Sequence, residues 1–301
     1  YFILAVGGAS AIYTATGIPH GAANPDKKLW DIWTKKVPLT KSTPVGVVLT
    51  IAAAGSEMSD SAVLTNDAIG KKSGINTVFN RVKFEVMNPE LAFTLPEYQL
   101  ACGITDIMMH TMERYFIPGI KCQLTDEISE GLLRTVIENG RLVMKNKEDY
   151  DAMAEVMWCS SISHNNLTEA GRGKDFSVHK LGQALGAKYD VAHGASLAAV
   201  WGSWARYQYS SAAGRFARFA DKVWGIRKED EKEAALAGIE ATEAYFRAIG
   251  MPTSLTELGV DPSEEDLREL SLNATMNDTV KLSRLKPLGA EEVLEIYHMA
   301  R

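Results

Sequence analysis

Four side chains in this sequence combine the types and spacing needed to hold a divalent ion. Asp106 and His110 stand four residues apart in TDIMMH; His179 (FSVHKLGQ) and His193 (YDVAHGAS) follow, fourteen apart, on later segments. On a helix, a spacing of four puts both side chains on one face, one turn apart. One carboxylate and three imidazoles can close around a divalent metal and leave a position open for substrate. With no thiolate in the set, Fe2+, Zn2+, Mn2+ or Co2+ suits it better than a cysteine-rich structural zinc. Such a metal is a Lewis acid: it polarises a carbonyl oxygen or lowers the pKa of an alcohol. A neighbouring nicotinamide could then exchange a hydride with that carbon.

Each residue also has an ordinary reading. A lone histidine beside Met108, Met109 and Met112 is usually a satisfied core residue. Asp106 one turn earlier argues for more, because an unpaired carboxylate is costly to bury. His193 precedes Gly194 and a new helix, so it is expected at a helix entrance. His164, in SSISHNN, is expected as a hydrogen-bonded packing residue in a helix. His20 and His298 are expected at the surface.

The elements that position these groups fall into two textures. Residues 2–6 read as a strand ending in Gly7-Gly8-Ala9-Ser10, the strand–turn–helix pattern that presents amides to phosphate. The helix that should follow, AIYTATGIPHG, is poor, since Gly17 and Pro19 interrupt it. Residues 45–50 read as a second buried strand. It leads into IAAAGSEMSDSAVLTND, whose small and hydroxyl residues permit close approach to a ligand or simply make a tight loop. Lys71 and Lys72 come next, able to meet a phosphate or ribose, or else solvated. Residues 82–90 read as a third strand. From Pro96, with Thr94 a candidate cap, the spacing turns helical: 96–116, 125–145, 149–163, 174–186, 194–210, 211–223, 230–249, 263–272 and 290–299. The fold class is therefore α/β to about residue 95, followed by an all-α part from 96 to 301.

Composition narrows the partners. At 46% hydrophobic and 23% charged, the 301 residues are those of an ordinary globular protein. A net charge of −6 and a pI near 5.6 argue against binding nucleic acid through a general basic surface. RKEDEKE (227–233) reads as a solvated loop and helix start. No apolar run reaches the roughly 18 residues of a membrane span, and no signal peptide is evident. Cys102, Cys122 and Cys159 have no CxxC spacing and read as reduced thiols of a cytoplasmic protein. The chain begins Tyr-Phe-Ile-Leu, inside what reads as a strand, so an N-terminal part is expected to be absent.

AVGGASAI, LTIAAAGSEMSDSAVLTN, MNPELAFTLPEYQLACGITDIMMHTMERYF and HKLGQALGAKYDVAHGASLAAVW together resemble the iron-containing (group III) alcohol dehydrogenases, in their butanol dehydrogenase-like branch. The resemblance runs through essentially the whole chain. It implies a partial Rossmann-like dinucleotide-binding domain (1–95) and a helical metal-binding domain (96–301), the dehydroquinate synthase-like fold, with the metal in the cleft between. It implies Fe2+, or Zn2+ or another divalent ion, on Asp106, His110, His179 and His193. It implies NAD or NADP against Gly7, Gly8 and Ser10 at the pyrophosphate, with Thr50, Gly55, Ser56, Ser59 and Lys72 nearby. The implied reaction interconverts primary alcohols and aldehydes such as butanol and butanal, and the implied assembly is a homodimer.

The chain departs from the family pattern at several points. The turn reads Gly-Gly-Ala-Ser, not Gly-Gly-Gly-Ser, and Ala9 adds a methyl at the pyrophosphate. Tyr13 and Thr16 replace an aspartate and a lysine. Gln183 stands where a second histidine follows the third ligand by one turn; it can hydrogen-bond but cannot titrate. Three readings follow: a metal-dependent alcohol dehydrogenase, a non-catalytic metal-binding remnant with an incomplete cofactor domain, or a lyase of the dehydroquinate-synthase kind. The Ala-, Gly- and Leu-rich surroundings of His179 and His193, with Trp201 near, favour a small apolar substrate and hence the first.

Overall fold

The computed structural model describes residues 2–66, 68, 71–118 and 121–301, the side chains of Lys71 and Lys72 excepted. Its strands are β1 (Ile3–Gly7), β2 (Val45–Leu49), β3 (Ser61–Asn66), β4 (Lys71–Asn76) and β5 (Phe84–Val86). β1, β2 and β5 form a parallel sheet in that order, with Ile3 opposite Val45 and Gly46 opposite Phe84. β3 and β4 pair antiparallel from Ser61↔Asn76 to Asn66↔Lys71. That hairpin lies within and beyond a stretch expected to be loop. Its apolar positions are few, and Ala62 and Ile75 pack on Ile32 and Trp33 of the short helix α2 (Leu29–Trp33).

Between β1 and α2 runs α1 (Ala9–Ala23), which passes through Gly17 and Pro19 unbroken. The expectation of a broken helix fails because packing outweighs the lost hydrogen bond at proline. Ile12, Ala15, Thr16, Gly17 and Pro19 are all buried. A side chain begun at Gly17 would meet Leu64 of β3 at 3.1 Å, so the glycine is what lets the hairpin approach. His20, expected at the surface, is fully buried. Its ring nitrogens lie 2.7 Å from Ser42 Oγ and 2.9 Å from Asn80 Oδ1, which satisfies both.

The helical part follows the sequence expectation closely: α3 (Glu97–Tyr115), α4 (Gln123–Lys145), α5 (Tyr150–His164), α6 (Ser177–Tyr189), α7 (His193–Gln208), α8 (Ala213–Trp224), α9 (Glu231–Ala248), α10 (Glu264–Ala274) and α11 (Ala290–Ala300). Caps explain several starts. Asp149 accepts from Ala152 N, Asp230 from the N–H groups of Lys232 and Glu233, and Ser263 pairs reciprocally with Asp266. Thr94 does not cap α3, which begins after Pro96 without a side-chain cap. The three cysteines are free thiols. Among the described residues no helix is long and apolar enough to cross a membrane.

α3 is the axis of this half. From Leu100 to Tyr115 every residue is buried, including Asp106, His110, Glu113 and Arg114. Polar groups inside an all-buried helix need partners, and those partners define the site.

Candidate metal centre

Asp106 Oδ1 is buried and accepts no hydrogen bond. Around it stand three imidazole nitrogens: His110 Nε2 at 3.4 Å, His179 Nε2 at 3.5 Å and His193 Nε2 at 3.7 Å. His179 Nε2 is likewise buried and makes no hydrogen bond. Donors bound at roughly 2.0–2.2 Å around one tetrahedral ion lie roughly 3.3–3.6 Å from one another. Asp106, His110 and His179 each offer a donor within 4.8 Å of the others, with His193 Nε2 further out on the fourth side, and a carboxylate oxygen facing ring nitrogens is the donor set a borderline divalent ion takes. Asp106, His110 and His179 are buried, whereas the His193 side chain is 44% exposed. His193 is the first residue of α7 and marks the open side of the set. α7 reaches α3 there because Gly194 has no side chain to strike the Cys102 carbonyl.

Residues outside the set orient it. Glu113, i+7 from Asp106 on α3, pairs with His179 Nδ1 and accepts from the N–H groups of Val178 (2.6 Å) and His179 (3.2 Å). Burial disfavours a charge on His179, but the Glu113 carboxylate outweighs it and the imidazole is pushed up to about 9. Nδ1 is thereby paired with Glu113 and Nε2 turned to Asp106, the carboxylate–histidine arrangement of metal sites. His110 differs. Burial, then His164 and His179, hold it well below its ordinary value, and its Nδ1 lies 2.8 Å from His164 Nδ1. Phe176 covers this cluster. Its backbone sits at φ +63, costly for a bulky residue, and the Arg114 guanidinium lies 4.8 Å over its ring. Sequence reasoning missed Glu113 and Arg114. The signal was available, since Glu113 follows His110 by three and Asp106 by seven on one helical face.

At the glycine turn, Gly7 (φ +146) ends β1 and Gly8 caps α1. Ala9 is the first helical residue and has no positive φ, so its backbone conformation does not call for glycine. Ser10 is exposed at the same helix end, and Thr50 N donates to Gly7 O at 3.3 Å. The loop after Thr50 is clamped between α3 and α5. Gly103 leaves room for the Ala52 carbonyl, and Gly55 (φ +59) for the Ser160 carbonyl. Ser160 Oγ accepts from the N–H groups of Ala53 (3.1 Å) and Gly55 (3.2 Å). Ser56 is buried and donates to Tyr13 Oη at 3.0 Å. Ser59 is fully buried and accepts from Ser61 N. The Lys72 side chain lies outside the described residues. Gln183 is exposed, one turn beyond His179 on α6.

Comparison with known proteins meets this geometry. The family model "Iron-containing alcohol dehydrogenase" matches residues 1–89. The model "Fe-containing alcohol dehydrogenase family, C-terminal" matches residues 100–301. The chain belongs to the iron-containing alcohol dehydrogenase family. Among its relatives, NADH-dependent butanol dehydrogenase A of Clostridium acetobutylicum is 36% identical over 297 residues, 98% of this chain and 76% of the relative. The NADPH-dependent aldehyde reductase YqhD of Escherichia coli is 33% identical over 265 residues, 87% and 68% of the two chains. The crystal structure of an NADH-dependent butanol dehydrogenase A from Thermotoga maritima superposes with a TM-score of 0.91 at 33% identity, covering 99% of this chain and 75% of that one. Family and relatives make the chain an NAD(P)-dependent alcohol dehydrogenase or aldehyde reductase, working with a metal and a nicotinamide cofactor. Nothing found favours the non-catalytic reading.

Proposed function

We propose that the chain interconverts primary aliphatic aldehydes and alcohols, butanal and butanol among them, at a divalent metal held by Asp106, His110, His179 and His193. The observation that carries this reading is Asp106 Oδ1, buried without a donor and facing three Nε2 atoms within 3.7 Å. Fe2+ is the ion assigned, and Zn2+ suits the same three-nitrogen, one-oxygen set. When bound, the ion supplies Lewis acidity at the substrate oxygen and the nicotinamide supplies the hydride.

The chain's own residues do the rest. Asp106 supplies the anionic ligand. Glu113 holds His179 so that its Nε2 faces inward, where a bound cation would displace the proton. His193, on the exposed side, leaves the approach to a small substrate open. Gln183 cannot take a proton, so the alcohol proton passes to water that Gln183 positions. Residues 1–95 form the cofactor-binding part, with Gly7, Gly8 and Ser10 at the pyrophosphate beside the N-terminus of α1. Thr50, Gly55, Ser56, Ser59 and Lys72 belong to the walls of the same site. Residues 96–301 carry the metal. The reading includes a cytoplasmic homodimer, which sedimentation tests.

The deciding experiment is an anaerobic titration of Fe2+-loaded protein with NADH and, separately, NADPH, followed by nicotinamide fluorescence, with butanal added last. Binding followed by oxidation of the cofactor upholds the reading, and the tighter cofactor fixes the preference. Metal bound with neither cofactor binding nor turnover overturns it. Asp106→Asn should lose at least the roughly 100-fold in metal affinity that even an outer residue can cost.

A further inference from the structure

We propose that His164 is a positioning residue for the metal centre: a neutral imidazole, held as a hydrogen-bond acceptor by Arg114, that fixes the tautomer of His110. The argument is one of donors and acceptors. A guanidinium only donates. Arg114 Nη2 lies 3.2 Å from His164 Nδ1, so that nitrogen presents a lone pair. The same nitrogen lies 2.8 Å from His110 Nδ1. Two lone pairs at that distance repel, so His110 Nδ1 carries the hydrogen and donates it, and the one lone pair of His164 Nδ1 is shared between this donor and Arg114 in a three-centre bond. His110 Nε2 is then left with its lone pair towards Asp106 Oδ1, 3.4 Å away.

Arg114 is fixed for this task. Its Nη1 donates to His110 O at 2.7 Å and its Nε to Glu169 Oε2 at 3.0 Å, and its plane rests on Phe176. Arg114, His110 and His164 are all buried, so water does not compete for these bonds. The two buried imidazoles thus enter the metal set on unequal terms. His179 leans on a carboxylate, which raises its basicity as a ligand. His110 leans on a neutral ring, which orients it without adding charge. The metal-affinity consequence rests on the metal-site reading above; the tautomer does not.

The test has two arms. In the metal-free wild-type protein labelled with 15N-histidine, long-range 15N–1H correlation should show His110 protonated at Nδ1 and His164 bare at Nδ1. A hydrogen on His164 Nδ1 overturns the proposal whatever the protein binds. The second arm uses Co2+ and two substitutions. His164→Asn keeps an acceptor oxygen where Nδ1 was, and His164→Phe keeps the ring without it. His164→Phe should weaken Co2+ binding roughly 10–100-fold and alter the cobalt absorption bands, while His164→Asn should bind near the wild-type level. Equal affinities and spectra for wild type and His164→Phe overturn the proposal, as does an Asn variant no better than the Phe variant. Absence of Co2+ binding in the wild type refutes the metal reading instead and leaves the tautomer to the first arm.

Discussion

Glu113 holds His179 twice: one carboxylate oxygen pairs with the ring at Nδ1, and the other accepts from the backbone N–H of the same residue at 3.2 Å. Ring and helix start are thereby fixed by one buried side chain. Glu113→Gln keeps the shape but removes the charge that sets the tautomer. It should weaken Zn2+ or Co2+ binding roughly 10–100-fold, as loss of an outer carboxylate does elsewhere. Competition with a chromogenic chelator measures this. Unchanged affinity would show that shape alone orients His179.

Strong acid should act on a charge cluster away from the metal. Asp126 pairs with Arg172 and, at 2.5 Å, with Arg215. Burial pushes its carboxyl up, but the two guanidiniums outweigh burial and hold it below the ordinary carboxylate range. A carboxyl depressed in the fold stabilises above its unfolded value of about 3.9, and that share is lost as pH falls through the folded value. Asp126→Asn should therefore cost about 1.5–3 kcal/mol at pH 7, the worth of hydrogen bonds to a charged group. The gap to wild type should begin to narrow below about pH 4 and close only once pH has fallen through the lower, folded value. Denaturant midpoints at pH 7 and at acid pH test this; a gap independent of pH would contradict it.

Gly55 combines a left-handed backbone with contact to the Ser160 carbonyl. Gly55→Ala adds strain and a clash together, of the order of 1–3 kcal/mol for the backbone alone. The variant should melt earlier and bind nicotinamide more weakly. Wild-type values in both measurements would mean the loop is free to move off α5.

Gln183 has no proton to give at neutral pH. Gln183→Ala should lower kcat by less than the roughly 100-fold that loss of a general acid or base costs. Gln183→His should add a limb to the pH–rate profile near the ordinary histidine value of about 6.5. A loss of 100-fold or more in the alanine variant would make the glutamine essential to proton movement.

What the sequence displayed was whatever its local spacing encodes. Asp106 and His110 face together because four residues make about one helical turn, and Gly194 after His193 announced the start of α7. The helices were legible to within a few residues for the same reason. Elements whose existence depends on a distant partner were not. β3 is held by β4 and by Trp33, and α1 survives Pro19 because it packs against the hairpin. His20 looked peripheral until Ser42 and Asn80 enclosed it. Glu113 looked like one more helix-surface glutamate, since only the approach of α6 turns it into a buried support.

α5 touches both halves of the site within one turn, a rise of roughly 6 Å. Ser160 grips the loop at Ala53 and Gly55, and His164 bears on His110. Both contacts are thus made by one helix, four residues apart. If the proposed metal and dinucleotide sites are both filled, any effect of one on the other carried through α5 must be returned by the same factor.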